Sequence, residues 1–273
     1  VIAYPDLVSA LRTAVRRLPT ATADPLASAP PGMVTIHADG LPRPDASAPA
    51  RIRTRNFRQA ALLTEVTAEQ AGTTAFECFG KQGPLALLPC APDHNPRYAI
   101  VWCDDPELTL QRAAMTPARL SAALTEAVAE FAAPKRQLGT LRVCGPVEIA
   151  PLSRLQRIDS VAGRDVWIGN AAQALHPVAG QGLNLGLRDA FELARSLADN
   201  EYDDPPLSPE QLLARFAGRR RVDRAVTTGV TDLLASAFGW PLARPFQSAL
   251  LTAMDVLPPL RRPLASTLLF GRR

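Results

Sequence analysis

The chain has 273 residues, 47% of them hydrophobic, and a formal net charge of only +4. That length and apolar content allow one large core or two modest ones and exclude disorder throughout. Aromatic residues make up 5% and no stacking motif accompanies the arginines, which speaks against nucleic acid as a partner. No apolar run reaches the ~18 residues that a membrane-spanning helix requires.

Cys78, Cys90, Cys103 and Cys144 lack C-x-x-C spacing and read as buried thiols in a reducing compartment, with no zinc site and no disulfide frame. The basic side is almost all arginine, clustered at Arg219-Arg220-Arg221, Arg261-Arg262 and Arg272-Arg273. A solvated helix face is the plain reading of those clusters; attraction to an anionic membrane surface is the other.

In chain order, "YPDLVSALRTAVRRL" predicts a helix from about Pro5, with Leu7, Leu11, Val15 and Leu18 as its stripe. After a Pro/Ala/Ser linker, Met33 to His37 reads as a short strand ending on the turn pair Asp39-Gly40. "AALLTEV", "TTAFECF", "PLALLP" and "RYAIVWC", between Ala60 and Cys103, are strand-length runs with short connections, which predicts an antiparallel meander. Turns are expected at Lys81-Gln82-Gly83 and Pro92 to Pro96. A helix then starts at Thr116-Pro117 and buries Leu120, Leu124, Val128 and Phe131. One further strand is expected around Leu141 to Ile149. Ser208, Pro209 and Gln211 form a capping-box pattern that opens a long helix. Helical segments broken by Pro241, Pro245 and Pro258-Pro259 follow.

The most informative stretch is "DVWIGNAAQALHPVAGQGLNLGLRDAFELARSL", Asp165 to Leu197. It reads as a buried strand, a loop and a helix with Leu183, Leu187, Phe191 or Ala190, Ala194 and Leu197 on one face. Gly180 and Gly182 stand at the helix start, where free amides and the helix dipole attract negative charge. The glycines at 180, 182 and 186 give G-x-G-x-x-x-G, one residue off the dinucleotide fingerprint.

The string "GNAAQALHPVAGQGLNLG" resembles the second flavin motif of the FAD-dependent aromatic monooxygenases, usually G-D-A-A-H, then P, then G-Q-G-x-N. Asn170 and Gln173 in place of the acid and histidine resemble the branch that hydroxylates 2-polyprenyl-6-methoxyphenol in ubiquinone biosynthesis. Tyr4-Pro5-Asp6-Leu7, Ala38-Asp39-Gly40, Phe57-x-Gln59, "GPLALLP", "LPPLRR" and "LLFG" fall in the same order as in that family.

The resemblance implies an α/β fold of the class A flavoprotein monooxygenase type. An incomplete FAD-binding domain would comprise residues 1–50 and 151–200, an antiparallel substrate domain 51–150, and a helical region 201–273. It implies FAD as cofactor and NAD(P)H as co-substrate: reduced flavin meets oxygen, and one oxygen atom passes to an electron-rich, polyprenylated phenol. Cofactor contacts are expected from Asp39, Gly40, Gly169, Asn170, Pro177, Gly180, Gln181, Gly182, Leu183 and Asn184, and catalytic proximity from His176 and Pro177. The serine and arginine that usually follow Asp39-Gly40 are poorly kept in Leu41-Pro42-Arg43-Pro44.

The family also begins with a G-x-G-x-x-G strand and helix that this sequence does not contain. The expectation is therefore an amino-terminally truncated chain, inactive alone, with the DVWIG strand at an exposed sheet edge. The expected location is the cytoplasm, with peripheral contact at the inner membrane and contact with other ubiquinone-biosynthesis proteins. Two rival readings are a non-catalytic interaction module of such an assembly and a flavin-dependent prenyl reductase.

Overall fold

The computed structural model describes residues 4–18, 33–41, 51–70, 72–80, 83–90 and 96–237. The expected turns around Lys81-Gln82 and Pro92 to Pro96, the Pro42 to Pro44 segment and everything from Phe238 onward, basic tail included, lie outside them in whole or in part.

The elements in order are α1 (Tyr4–Val15), β1 (Thr35–His37), β2 (Ile52–Ala68), β3 (Phe76–Gly80), β4 (Gly83–Pro89), β5 (Arg97–Asp104), α2 (Pro106–Ala113), α3 (Pro117–Ala129) and α4 (Ala132–Leu138). There follow β6 (Leu141–Val143), β7 (Glu148–Arg157), β8 (Val161–Ala162), β9 (Asp165–Trp167), β10 (Gln173–Ala174), α5 (Gln181–Asn200) and α6 (Pro209–Ala237). They form two compact units, Val1–Ser28 with Arg58–Pro151 and Ala29–Phe57 with Leu152–Arg273.

In the first unit the strands lie in the order β2-β5-β4-β3, all antiparallel. The expected meander holds for β3, β4 and β5, but the first strand lies beside the last, with Leu62 opposite Trp102 and Val66 opposite Tyr98. Seventeen residues long, β2 also takes β6 along Val66–Ala68. The hairpin glycine Gly83 is required: its φ is +84°, and a Cβ there would stand 1.9 Å from the Cys103 carbonyl oxygen.

One face of this sheet carries Leu62, Val66, Leu87, Tyr98, Ile100 and Trp102, and α3 covers it with Leu120, Leu124, Ala127 and Val128. The alternation read in β5 thus places Tyr98, Ile100 and Trp102 in the core. Thr116 caps α3 as expected, its hydroxyl accepting from the Arg119 amide. Phe131 lies beyond the end of α3 and packs on the same core from the side.

Three features differ from expectation. The helix α2 was not foreseen, although Asp105 caps it and Pro106 opens it; its Thr109 hydroxyl donates to the Ala60 carbonyl. The single strand expected near residue 141 is two, β6 and β7, split at Gly145-Pro146, where proline withholds a ladder donor. Cys78 and Cys103 are buried but Cys144 is exposed, because it sits in that same break.

The second unit contains a small sheet in the order β1-β9-β8, with β1 parallel and β8 antiparallel to β9. The DVWIG strand is therefore the middle strand, which corrects the expectation that it lies at an edge. The register is Thr35 with Asp165 and His37 with Trp167, so β1 carries the outer edge. Val166, Ile168, Leu193, Leu212, Leu213 and Phe216 form the core beneath it.

The capping box is realised: the Ser208 hydroxyl accepts from the Gln211 amide, and the Gln211 carboxamide oxygen accepts from the Ser208 amide. The buried face of α5 is Gln181, Leu185, Asp189 and Leu193, while Leu183, Leu187 and Phe191 are exposed. The expected stripe thus faces outward, Ala194 included, except at its end, where Leu197 packs against the core.

The physical reason is charge pairing with α6. Asp189, wholly buried, accepts from Arg220 Nε at 2.8 Å and from Arg224 Nη2 at 2.9 Å. Asp223, also wholly buried, meets Arg188 at 2.8 Å and Arg220 at 2.7 Å. Three arginines and two aspartates satisfy one another where a solvated face was expected; only Arg219 and Arg221 of the basic triplet are exposed.

Candidate functional site

The site is built at the carboxyl ends of β1 and β9. The Ile168 amide donates to the His37 carbonyl at 3.0 Å, so Ala38-Asp39-Gly40 and Ile168-Gly169-Asn170 leave the parallel pair side by side. Crevices beyond the carboxyl ends of parallel strands are the usual ligand sites of open α/β sheets. Asp39 and Asn170 are exposed there, and Gly40 turns with φ +98°.

Gly169, with φ +58°, lies against Gly186: a Cβ on Gly186 would come within 3.2 Å of the Gly169 Cα. That close approach sets the second turn of α5 directly beside the end of β9. The third glycine of G-x-G-x-x-x-G thus serves helix-to-strand packing. Sequence reasoning missed this role, although the four-residue step from Gly182 was visible.

Between the two elements the chain forms a loop tied down by His176. The ring is buried and its Nδ1 accepts from the Val178 amide at 3.1 Å. Phe57 meets it edge-on, with ring centroids 4.9 Å apart. Burial pushes the His176 pKa down to about 4, against the pull of Asp232. The imidazole is therefore neutral near pH 7 and fixes the loop, with exposed Pro177 beside it.

At the far end of the loop Gly180 adopts φ +58° and Gln181 opens α5. Among the described residues no side chain caps this start and no acid lies in its first turn. The amides of Gly182 and Leu183 stand where a helix has no acceptor of its own, at the positive end of its dipole. A Cβ at Gly180 or at Gly182 would meet nothing within 4 Å. Gly182, Leu183 and Asn184 are at least partly exposed, whereas the Gln181 side chain is buried.

A charged cluster that the sequence did not suggest stands near the loop. Asp232 of α6 accepts from Arg154 of β7 and from Arg55 of β2, the latter at 3.1 Å. The Arg55 guanidinium also lies 5.1 Å from the Phe57 ring centre. These contacts join residues up to 177 apart in sequence, so no local signal announced them.

The residues fit the flavin that the resemblance implies. Among the described residues nothing stands within 4 Å of a Cβ built at Gly180 or Gly182, and amides at an uncapped helix start suit a heterocycle that gains negative charge on reduction. Asp39 and Gly40 follow β1, and Gly169 and Asn170 follow its parallel partner β9. Among the described residues no group of three or more His, Cys, Asp or Glu stands together.

Comparison with known proteins bears on the family and the fold. The family described as "FAD binding domain" matches residues 45–225. A ubiquinone hydroxylase, UbiL, of Rhodospirillum rubrum is 32% identical over 199 residues, covering 72% of this chain and 44% of the relative. The 3-demethoxyubiquinol 3-hydroxylase of Escherichia coli is 28% identical over 185 residues, covering 67% and 44%. The chain thus spans less than half the length of these curated relatives. Among solved structures, Pseudomonas aeruginosa PqsL in complex with 2-aminobenzoylacetate has a TM-score of 0.58 at 22% identity, covering 75% of this chain and 55% of that one. The p-nitrophenol 4-monooxygenase PnpA of Pseudomonas putida has a TM-score of 0.57 at 19% identity, covering 82% and 55%. The expected class A flavoprotein monooxygenase fold is the observed one.

Proposed function

This chain belongs to the FAD binding domain family, and from that premise we propose that it holds the isoalloxazine half of FAD in a hydroxylase that acts on a polyprenylated phenol in ubiquinone synthesis. The observation that carries the reading is the uncapped start of α5, with open space over Gly180 and Gly182, set beside the carboxyl ends of β1 and β9. Two of the similar proteins are named ubiquinone or demethoxyubiquinol hydroxylases, which supports the substrate class.

In this reading the amides of Gly182 and Leu183 stabilise charge on the pyrimidine edge of the flavin, with Gln181 and Asn184 completing the rim; the Gly180 amide, expected among the donors, is given to the Pro177 carbonyl at 2.9 Å and shapes the turn instead. Gly169 and Asn170 meet the ribityl chain; an amide bonds a hydroxyl without a carboxylate's repulsion from phosphate. Asp39 and Gly40 border the cofactor from β1. Pro177 stiffens the loop beside the ring, and His176 is a positioning residue acting through the Val178 amide. Bound FAD, reduced by NAD(P)H, supplies the oxygen-activating chemistry. The protein's part is to orient the phenol and exclude water.

The test is quinone analysis by mass spectrometry in a bacterium lacking its own ubiquinone hydroxylases, supplied with the complete gene that contains the coding sequence of this chain. Conversion of the accumulated phenol, abolished by Gly182→Val in a protein that still accumulates normally, is the expected result. Conversion unaffected by Gly182→Val, or no conversion with the unaltered gene, would overturn the reading.

A further inference from the structure

A cavity of about 380 Å³ opens between the β7–β8 connection and α6, within the second unit. It is lined by Gln156, Arg157, Ser160, Gln173, Arg221 and Arg224 among others. It uses none of the residues assigned to the flavin. Its volume falls within the ~300–1,000 Å³ usual for small-molecule sites.

The lining has more donors than its own acceptors satisfy. Three arginines face one acid, Asp159. Arg224 is matched by buried Asp189 at 2.9 Å. No ion pair is recorded for Arg157 or Arg221 among the described residues. The Arg157 guanidinium is held 4.0 Å over the Trp167 ring, which fixes its plane, and its Nε is buried with no hydrogen-bond partner. Gln173, only 4% exposed, likewise leaves its Nε2 without a partner. Its backbone is pinned opposite Gln156 in the β10–β7 ladder, so the side chain cannot move far from the cavity wall.

Two buried donors lacking acceptors, on Arg157 and Gln173, beside Arg221, which has no ion pair among the described residues, call for a ligand that is acceptor-only and negatively charged. We propose that this cavity is a second binding site and that it takes the phosphate group of a small molecule. A phosphate presents several oxygens to a forked guanidinium and to an amide at once, and carries the charge that Arg157 and Arg221 lack. The site shares no residue with those assigned to the flavin, so the two readings are tested apart.

The test is calorimetric titration of the 273-residue chain with inorganic pyrophosphate and, separately, with ADP, each repeated on Arg157→Gln, Arg221→Gln and Gly182→Val. Saturable binding tighter than about 1 mM is expected. It should weaken about tenfold in Arg157→Gln and measurably in the surface variant Arg221→Gln, with Gly182→Val unchanged. Pyrophosphate binding as tight as ADP binding identifies the free anion as sufficient; ADP binding at least about tenfold tighter identifies a nucleotide phosphate. Absence of saturation by either probe, binding indifferent to both arginine changes, or binding lost in Gly182→Val would overturn the proposal. Circular dichroism of each variant separates lost binding from lost folding. FAD titration of the same variants reports on the flavin site alone, so the two readings fail separately.

Discussion

Replacing Asp189 by alanine removes the acceptor shared by Arg220 and Arg224. Asp189 is wholly buried and takes hydrogen bonds at 2.8, 2.9 and 3.3 Å. Asp223 remains to hold Arg220 at 2.7 Å, so the charge left without a partner is chiefly that of Arg224. Removing one member of a buried pair costs about 3–5 kcal/mol. Arg224 also lines the 380 Å³ cavity, where water can reach it, which places the expected loss near the lower end, about 3 kcal/mol. Against a total stability of about 5–15 kcal/mol that is a large fraction. Urea unfolding followed by far-ultraviolet circular dichroism measures it, with the slope unchanged if both end states are preserved. The triple change Asp189→Leu, Arg220→Met, Arg224→Met should recover much of the loss, because apolar packing replaces a buried ion network with little penalty. A single-variant loss under about 1 kcal/mol would show that Arg224 is solvated and that the network does not hold α5 on α6.

Three further outcomes follow from the site and its supports. The His176 pKa is lowered from 6.5 to about 4 by burial, so the unfolded chain binds the extra proton first. Stability should be independent of this group above about pH 6.5 and fall by ~1.4 kcal/mol per unit down to about pH 4, ~3 kcal/mol in all; His176→Gln should flatten that part of the profile in urea titrations. Gly186→Val should cost about 1–3 kcal/mol and weaken flavin binding, since its Cβ would press on the Gly169 Cα; thermal unfolding with and without FAD reads both. Ser208→Ala should cost about 1 kcal/mol by opening the capping box of α6, with no change in flavin affinity.

The parts of this protein that were legible in its sequence are those set by local rules. Thr116 before Pro117, and Ser208 before Pro209 with Gln211 beyond, announced α3 and α6 because caps are satisfied within one turn. The alternation of Tyr98, Ile100 and Trp102 announced a core strand because strand faces alternate by residue. The helix start at Gly180 was legible from its glycines, as was the turn at Asp39-Gly40, where Gly40 takes φ +98°. What escaped is non-local. The order β2-β5-β4-β3 depends on which strand closes on which, and no turn specifies that. The face of α5 was misread because apolar periodicity pointed to Leu183, Leu187 and Phe191, whereas Asp189 is drawn inward by arginines more than thirty positions away. Asp232 with Arg55 and Arg154 was invisible for the same reason.

The most direct test of the account is flavin affinity at the mouth of α5. Titration of the chain with FAD, followed by quenching of flavin fluorescence, should give saturable binding that Gly182→Val weakens by about tenfold or more, as a side chain enters the space the ring requires. His176→Gln, which alters the loop without filling that space, should weaken it less. Equal affinity in the unaltered chain and Gly182→Val, with both folded, would contradict the placement of the flavin over Gly180 and Gly182.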